Sequence, residues 1–408
     1  MEDRNKRKHH HQDSRHNNNG KRHRAYQQDH QNDRVEYRRS PSSKDSSHSQ
    51  EDDAEGHYEG REGDVIKKRY RIIKRLGIGT FGAVFKCHDS KHGDVVALKV
   101  VRSIKRYIDS AQIEARVLHD LFDQQKAKGV DVCLKMYSHF KFDDHYCIVC
   151  ERLGLSLLDL IKKNRYKRTP LRVVRDVSRQ LLKALDFLTS IGLVHTDLKL
   201  ENVLFERSTL RAETVLQGGR EVTVEAPVHT AVKLIDFGGA TYATDRNKSR
   251  IINTRQYRSP EVTLELGWSY PSDMWSAGCI VAEVYSGELL FGTHDELEHL
   301  ALMEQALEPF PPHMVRASPL RDLFEAGRVK RHCLPRASLR EVEAMRPLQR
   351  YFQLAPEDPG SGIGDLVKAM LRLDPAKRVT PRQGLLYDFV TEAVEVEGAE
   401  EAQWGAGG

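Results

Sequence analysis

Three glycines, a lysine and a set of acid and amide side chains stand in an order suited to handling a polyphosphate. The run Gly77-Ile78-Gly79-Thr80-Phe81-Gly82-Ala83-Val84 fits the pattern G-x-G-x-x-G-x-V. Without a Cβ, the backbone at Gly77, Gly79 and Gly82 can pass close over phosphates and turn its N–H groups toward them. Leu76, Ile78, Thr80, Phe81, Ala83 and Val84 are assigned with these glycines to a nucleotide site. A dinucleotide-binding turn has a similar pattern, but there the last glycine opens a helix. Here Ala83-Val84-Phe85-Lys86-Cys87-His88 follows and reads as a strand, which favours a β-hairpin lid.

Lys99, at the end of Val96-Ala97-Leu98-Lys99, lies fifteen residues past Val84. A strand lysine there can contact α- and β-phosphates if an anion holds it in place. Glu114, fifteen residues further on a helical stretch, is the expected partner. Alone, Lys99 would be a surface lysine and Glu114 a solvated helix residue; their joint spacing disfavours both plain readings. His195-Thr196-Asp197-Leu198-Lys199-Leu200-Glu201-Asn202 carries the densest chemistry. Asp197 would accept or orient the proton of a substrate hydroxyl. Lys199 would neutralise a γ-phosphate, and Asn202 would lend an amide oxygen to magnesium. His195 is expected to pack this loop rather than act as a base. Asp236, in Asp236-Phe237-Gly238 after the apolar strand Val232-Lys233-Leu234-Ile235, is a hard oxygen ligand for magnesium.

These residues need a scaffold, and the 408-residue chain is long enough to supply one. Folded structure is expected from Tyr70. From there to about Tyr107, β-branched residues alternate with polar ones, which reads as strands. Val174, Val177, Leu181, Leu185 and Leu188 then recur at helical spacing. Strands first and helices later imply a small sheet-rich lobe followed by a helical one.

Residues 1–63 are polar and almost free of aliphatic side chains, so a disordered arm is expected. Its basic clusters, Arg4-Asn5-Lys6-Arg7-Lys8 and Lys21-Arg22-His23-Arg24, suit either nuclear import or a plain solvated charge run. Arg39-Ser40-Pro41-Ser42-Ser43 reads as a phosphoacceptor patch. Residues 392–408 read as a frayed tail. The net charge of +5 does not mark a nucleic-acid binder. Nor is any aromatic–basic stacking pattern visible, so direct nucleic-acid binding is not expected. Cys87, Cys133, Cys147, Cys150, Cys279 and Cys333 are expected as reduced, buried thiols. Cys147 and Cys150 form a C-x-x-C, but residues three apart on a strand face opposite ways, so core positions are expected. No signal peptide or membrane span is visible, and a soluble intracellular protein is expected.

In identity, order and spacing these elements resemble the eukaryotic protein kinase superfamily over about residues 70–390. The resemblance implies an α+β, bilobal fold, with a β-rich lobe at 70–150 and a helical lobe at 151–390. Asp273 and Trp275 look like the helix that braces the catalytic loop. Arg378 looks like the buried arginine that pairs with Glu261 of Ser259-Pro260-Glu261. The run Glu298-His299-Leu300-Ala301-Leu302-Met303-Glu304-Gln305 (298–305) is similar to the EHLAMMER signature of LAMMER, or CDC2-like, kinases. Leu302 replaces a Met there and Gln305 the Arg. Thr196 where most kinases carry Arg, Glu151-Arg152-Leu153-Gly154-Leu155-Ser156 after the candidate gatekeeper Cys150, and the insert between Leu204 and Val232 fit the same family. So do Thr254-Arg255-Gln256-Tyr257-Arg258 and Leu266-Gly267-Trp268-Ser269. Glu151 and Leu153 are then expected beside the nucleotide.

The resemblance implies ATP and Mg2+ as cofactors and protein substrates phosphorylated on Ser and Thr, with tyrosine autophosphorylation. It further implies arginine–serine-rich splicing factors as substrates, a role in mRNA splicing, a nuclear location with a cytoplasmic pool, and a monomer. Glu296, Glu298 and Glu304 would either favour basic substrates or form an ordinary acidic helix. Thr196 removes the arginine that clamps a phosphorylated activation loop, so activity is expected not to depend strictly on that modification. Thr254 remains a candidate acceptor. The alternatives are a dual-specificity tyrosine-regulated or other cyclin-dependent/MAP-type kinase, and a pseudokinase scaffold. The latter predicts a lost Lys, Asp or Asn, yet Lys99, Asp197 and Asn202 are all present.

Overall fold

The computed structural model describes residues 56–352 and 362–391. Expectations for residues 1–55 and for the tail at 392–408 lie outside the described residues. The alternating segment forms β1 (Val65–Ile66), β2 (Tyr70–Gly79), β3 (Gly82–Asp89) and β4 (Val95–Val101). After α1 (Lys105–Lys128) come β5 (Met136–Phe142) and β6 (His145–Glu151). The strands make one antiparallel sheet in the order β1-β2-β3-β4-β6-β5.

Period-two alternation gives this sheet two apolar faces. Phe85, Leu98, Val100, Cys147 and Val149 share an outer cluster with Tyr70 and Ile72. Ile148 and Cys150 belong instead to the large core that includes α1. The C-x-x-C pair thus splits across the sheet, and no metal-holding group of His, Cys, Asp and Glu occurs among the described residues. Five of the cysteines are buried, whereas Cys333 is exposed.

Folded structure starts before Tyr70. Val65 pairs with Arg71 and Ile66 with Tyr70, and Tyr58 packs edge-on against Phe85 and Phe142. Tyr58 and the pair Val65-Ile66 are flanked by polar residues and glycine, too few in a row to show a period. The strand run also ends sooner than expected, at Val101, and Tyr107 lies on α1.

The second lobe opens with α2 (Leu157–Lys163), α3 (Leu171–Ser190), β7 (Leu193–Val194) and β8 (Val203–Phe205). A hairpin of β9 (Leu210–Gln217) and β10 (Arg220–Pro227) fills the insert. It is pinned to the helices by an Arg172–Glu213 ion pair and by Asn164, which donates to and accepts from the Glu225 backbone. Then come β11 (Val232–Leu234), β12 (Thr241–Tyr242), α4 (Pro260–Thr263), α5 (Pro271–Ser286) and α6 (Glu296–Ala306), followed by short helices to Thr391. Val174, Val177, Leu181, Leu185 and Leu188 form the buried face of α3, as their spacing predicts. No helix among the described residues is long and apolar enough to cross a membrane.

Arg378 donates from Nη1 and Nη2 to the two carboxylate oxygens of Glu261, at 2.7 and 2.8 Å. The side chains are 0% and 3% exposed. Removing either partner leaves a buried charge unpaired. Glu261→Ala or Arg378→Ala is therefore expected to lower unfolding stability by about 3–5 kcal/mol, read from urea denaturation.

Glu283, on α5, accepts from the Tyr257 hydroxyl and the Leu290 amide. Burial pushes its carboxyl from an ordinary 4.5 up to about 8. A raised folded value means that this group's contribution is full below the ordinary value and is lost as pH rises through the folded one. Glu283→Gln should flatten the decline in thermal midpoint between about pH 5 and pH 8.5. A wild-type slope in the variant would remove Glu283 as its source.

Candidate active site

Pairing of β3 with β4 places Val84 opposite Lys99, and pairing of β4 with β6 places Ala97 opposite Cys150. Cross-strand partners share a face, so Val84, Ala97, Lys99 and Cys150 line the side of the sheet away from its outer cluster. Lys99 Nζ donates to both oxygens of Glu114, at 2.9 and 2.8 Å. Burial works against the ammonium, but the carboxylates of Glu114 and Asp236 outweigh it and raise Lys99 above its ordinary value. Lys99 is therefore a fixed cation. Burial pushes the Cys150 thiol up to about 12, so it is neutral core.

The glycines differ in their reasons. A Cβ on Gly77 or Gly79 would meet open space, which leaves their backbone accessible from above. A Cβ on Gly82 would collide with the Val100 carbonyl, so that glycine serves the packing of β3 on β4. Leu76, Ile78 and Phe81 are exposed, and the Phe81 ring meets Tyr107 of α1 edge-on.

The loop after β7 is held from beneath. Asp273 accepts from the backbone N–H of His195 at 2.6 Å and of Thr196 at 3.0 Å. Thr196 sits at φ 71° and Asp236 at φ 64°, a region that a β-branched residue seldom enters. His195 is fully buried against Phe237, with its Nε2 at 2.9 Å from the Ile235 carbonyl, a packing position.

Asp197 accepts from the Thr254 amide and hydroxyl at 3.0 and 2.8 Å, and Lys199 Nζ lies 3.1 Å from its other oxygen. Burial pushes the Asp197 carboxyl up; the Lys199 ammonium and the Thr254 donors more than offset this and hold it low. Asn202 donates its amide N–H to the Asp197 carbonyl at 2.8 Å, which leaves Oδ1 as its acceptor. With the Asp236 carboxylate, that makes a set of hard oxygens suited to magnesium.

Several expectations change here. Thr254 donates to Asp197 and accepts from Lys199 at 3.1 Å, so its hydroxyl is engaged in the site rather than offered as a phosphate acceptor. The Glu151 carboxylate points to Lys233, 2.9 Å away, and to the Lys135 amide, and its backbone N–H donates to the Lys135 carbonyl at 3.0 Å, so neither its side chain nor that N–H is free for a nucleotide. Glu304 is buried beneath Arg331 and Arg328 at 3.1 and 3.5 Å, and cannot draw a basic substrate. Met303 is likewise buried and braces the lobe. His299 packs edge-on to Phe291, and burial with the nearby Arg258 and Arg255 keeps it neutral, near 3. Leu153, Val84 and Ala97 are half-buried. Ala97 escaped the sequence reading, although strand alternation with Lys99 places it on the same face.

The sequence matches the protein kinase domain family over residues 70–390. It is 39% identical to the serine/threonine-protein kinase AFC2 of Arabidopsis thaliana, covering 83% of this chain and 81% of that protein. It is 41% identical to the dual specificity protein kinase CLK2 of Homo sapiens, covering 83% and 67%. With the dual specificity protein kinase lkh1 of Schizosaccharomyces pombe the identity is 36%, over 84% of this chain and 50% of the relative. A crystal structure of a kinase domain superposes with a TM-score of 0.75 at 33% identity, covering 82% of this chain and 99% of that one.

The Thr254 geometry separates two roles. Thr254→Val removes a hydrogen bond to a charged group and should lower kcat about tenfold or more, while Thr254→Ser retains most of it. Phosphatase treatment should leave turnover intact. Loss of turnover on dephosphorylation would return Thr254, or a neighbour, to the role of activating acceptor.

Proposed function

Because the chain belongs to the protein kinase domain family, and within it to the LAMMER or CDC2-like dual-specificity kinases, we propose that it phosphorylates serines of arginine–serine-rich splicing proteins, using ATP with Mg2+, in the nucleus and as a monomer. Bound ATP supplies the phosphoryl group, and magnesium neutralises charge on its oxygens. Lys99, fixed by Glu114, would bind the α- and β-phosphates. Asn202 Oδ1 and Asp236 would hold the metal. Asp197, kept ionised by Lys199 and Thr254, orients the substrate hydroxyl and receives its proton. Lys199 balances the charge on the transferring group.

One observation carries the chemistry: a Cβ on Gly238 would stand 3.6 Å from Asp236 Oδ1 and 3.8 Å from Glu114 Oε2, the carboxylate that holds Lys99, so residues from β4, α1 and the loop after β11 meet at one point. Support for a basic substrate comes from Glu296 and Glu298, which remain half-exposed on α6. Nuclear entry is supported by the basic runs at 4–8 and 21–24.

The test is transfer of labelled phosphate from ATP to an arginine–serine peptide. Asp236→Ala should reduce incorporation on the order of 100-fold or more. Equal labelling by the variant would refute the role of Asp236. Replacing both Glu296 and Glu298 by Gln should raise the peptide KM with little change in kcat, and salt should shrink the difference.

A further inference from the structure

Thr196 stands where most kinases carry the arginine that clamps a phosphorylated activation segment, yet the segment is held in place. Thr196 Oγ1 donates to the Gly239 carbonyl at 2.8 Å. The Asn253 amide and side chain both donate to the Thr196 carbonyl at 2.9 Å. β12 pairs Thr241 with Val194 and Tyr242 with Leu193, next to the catalytic loop. These contacts fasten the segment to the second lobe. Tyr242 also reaches across to the first: its hydroxyl donates to the Asp120 carboxylate on α1.

Asp120 lies on the same continuous helix as Glu114, about 9 Å further along its axis. A shift of the helix at Asp120 is therefore felt at the Lys99–Glu114 pair. Burial and the bond to Asp120 push the Tyr242 phenol up to about 12, so it remains a donor at neutral pH. Tyr242 is also 36% exposed, which keeps its ring within reach of another protein.

We propose that the Tyr242–Asp120 bond is a latch tying the activation segment to α1, and that phosphorylation of Tyr242 opens it. This rests on the kinase reading above and names a regulation of that same site. The phosphoryl donor is ATP on a tyrosine-directed kinase, a second copy of this chain included. A bond forms between Oη and the γ-phosphorus, the bond from that phosphorus to the β–γ bridging oxygen breaks, ADP leaves, and the phenolic proton is released. Oη loses the hydrogen it donated, and the phosphoryl group it now bears sets about −1.5 to −2 charge against the Asp120 carboxylate. Around Asp120, α1 carries Asp123, which engages His119 at 3.7 Å, and Arg116 one turn back, whose Nε donates to the Gln112 carbonyl at 3.3 Å. Repulsion then drives α1 and the segment apart. Tyr242 is a positioning residue, acting through Glu114 and Lys99.

The test compares full-length protein carrying phosphotyrosine at position 242, Tyr242→Phe, and Asp120→Lys with and without that phosphotyrosine. The readouts are kcat and the KM for ATP on a peptide substrate, and amide hydrogen exchange along α1. Tyr242→Phe should lower kcat/KM for ATP about fivefold, the weight of one hydrogen bond. Phosphotyrosine should lower it further and speed exchange in α1. In Asp120→Lys the order should invert, the phosphorylated form being the more active, because an ammonium now meets the phosphate. Unchanged kinetics and exchange in the phosphorylated wild-type sequence, or no inversion in Asp120→Lys, would overturn the latch. Absence of turnover in every form would overturn the kinase reading instead, and the exchange data would still decide the latch.

Discussion

The site depends on one buried carboxylate. Asp273 takes the backbone N–H groups of His195 and Thr196 and so dictates the path of the loop that follows. Burial pushes the Asp273 carboxyl up even though these bonds and His195 pull it down, so the interaction is sustained against a desolvation cost. In return, Thr196 is kept at a φ that a β-branched residue avoids on its own. From that fixed point Asp197 faces Thr254 and Lys199, Asn202 turns its amide N–H inward, and the Thr196 carbonyl is presented to Asn253. A loop free to relax would lose all of these together, since each uses the direction set by the residue before it.

Much of this was legible from the chain because the informative residues are bound by local geometry. The fifteen-residue steps from Val84 to Lys99 and on to Glu114 pair a strand lysine with a helix carboxylate, and the two meet at 2.8 Å. The apolar stripe of α3 could likewise be read residue by residue. The two lobes follow from the change in period, and strand alternation sends the two cysteines of the C-x-x-C to opposite faces.

What was not legible is the partner of a polar side chain when that partner is distant in sequence. Glu304 and Glu298 are the same residue type, six positions apart on a single helix, yet Glu304 is sealed under Arg331 while Glu298 accepts from Ser338. Thr254 looks like any loop threonine until the fold places Asp197 and Lys199 against it. Glu151 belongs to the strand expected at the nucleotide, but Lys233, arriving on β11, claims its carboxylate. β1 and Tyr58 were missed for a related reason: they are held by contacts with β2 and the outer cluster, not by a pattern of their own.

The substitution at Thr196 alters how the activation segment is held, and the physics of the two solutions differs. An arginine clamp draws its strength from an added dianion and is absent without it. Here the contacts at Gly239 and Asn253 are neutral, each worth about 1 kcal/mol net, and the one from the Thr254 amide to the Asp197 carboxylate is charge-assisted and worth about 1.5–3 kcal/mol. Summed, they can bias a two-state segment by the few kcal/mol that separate a minor from a major population. Such a bias is present from the moment of folding and carries no charge that a phosphatase could remove. Control must then work by adding a destabilising charge rather than a stabilising one. That shifts attention from phosphate-binding residues to places where a donor hydroxyl already faces a carboxylate, and Tyr242 against Asp120 is such a place.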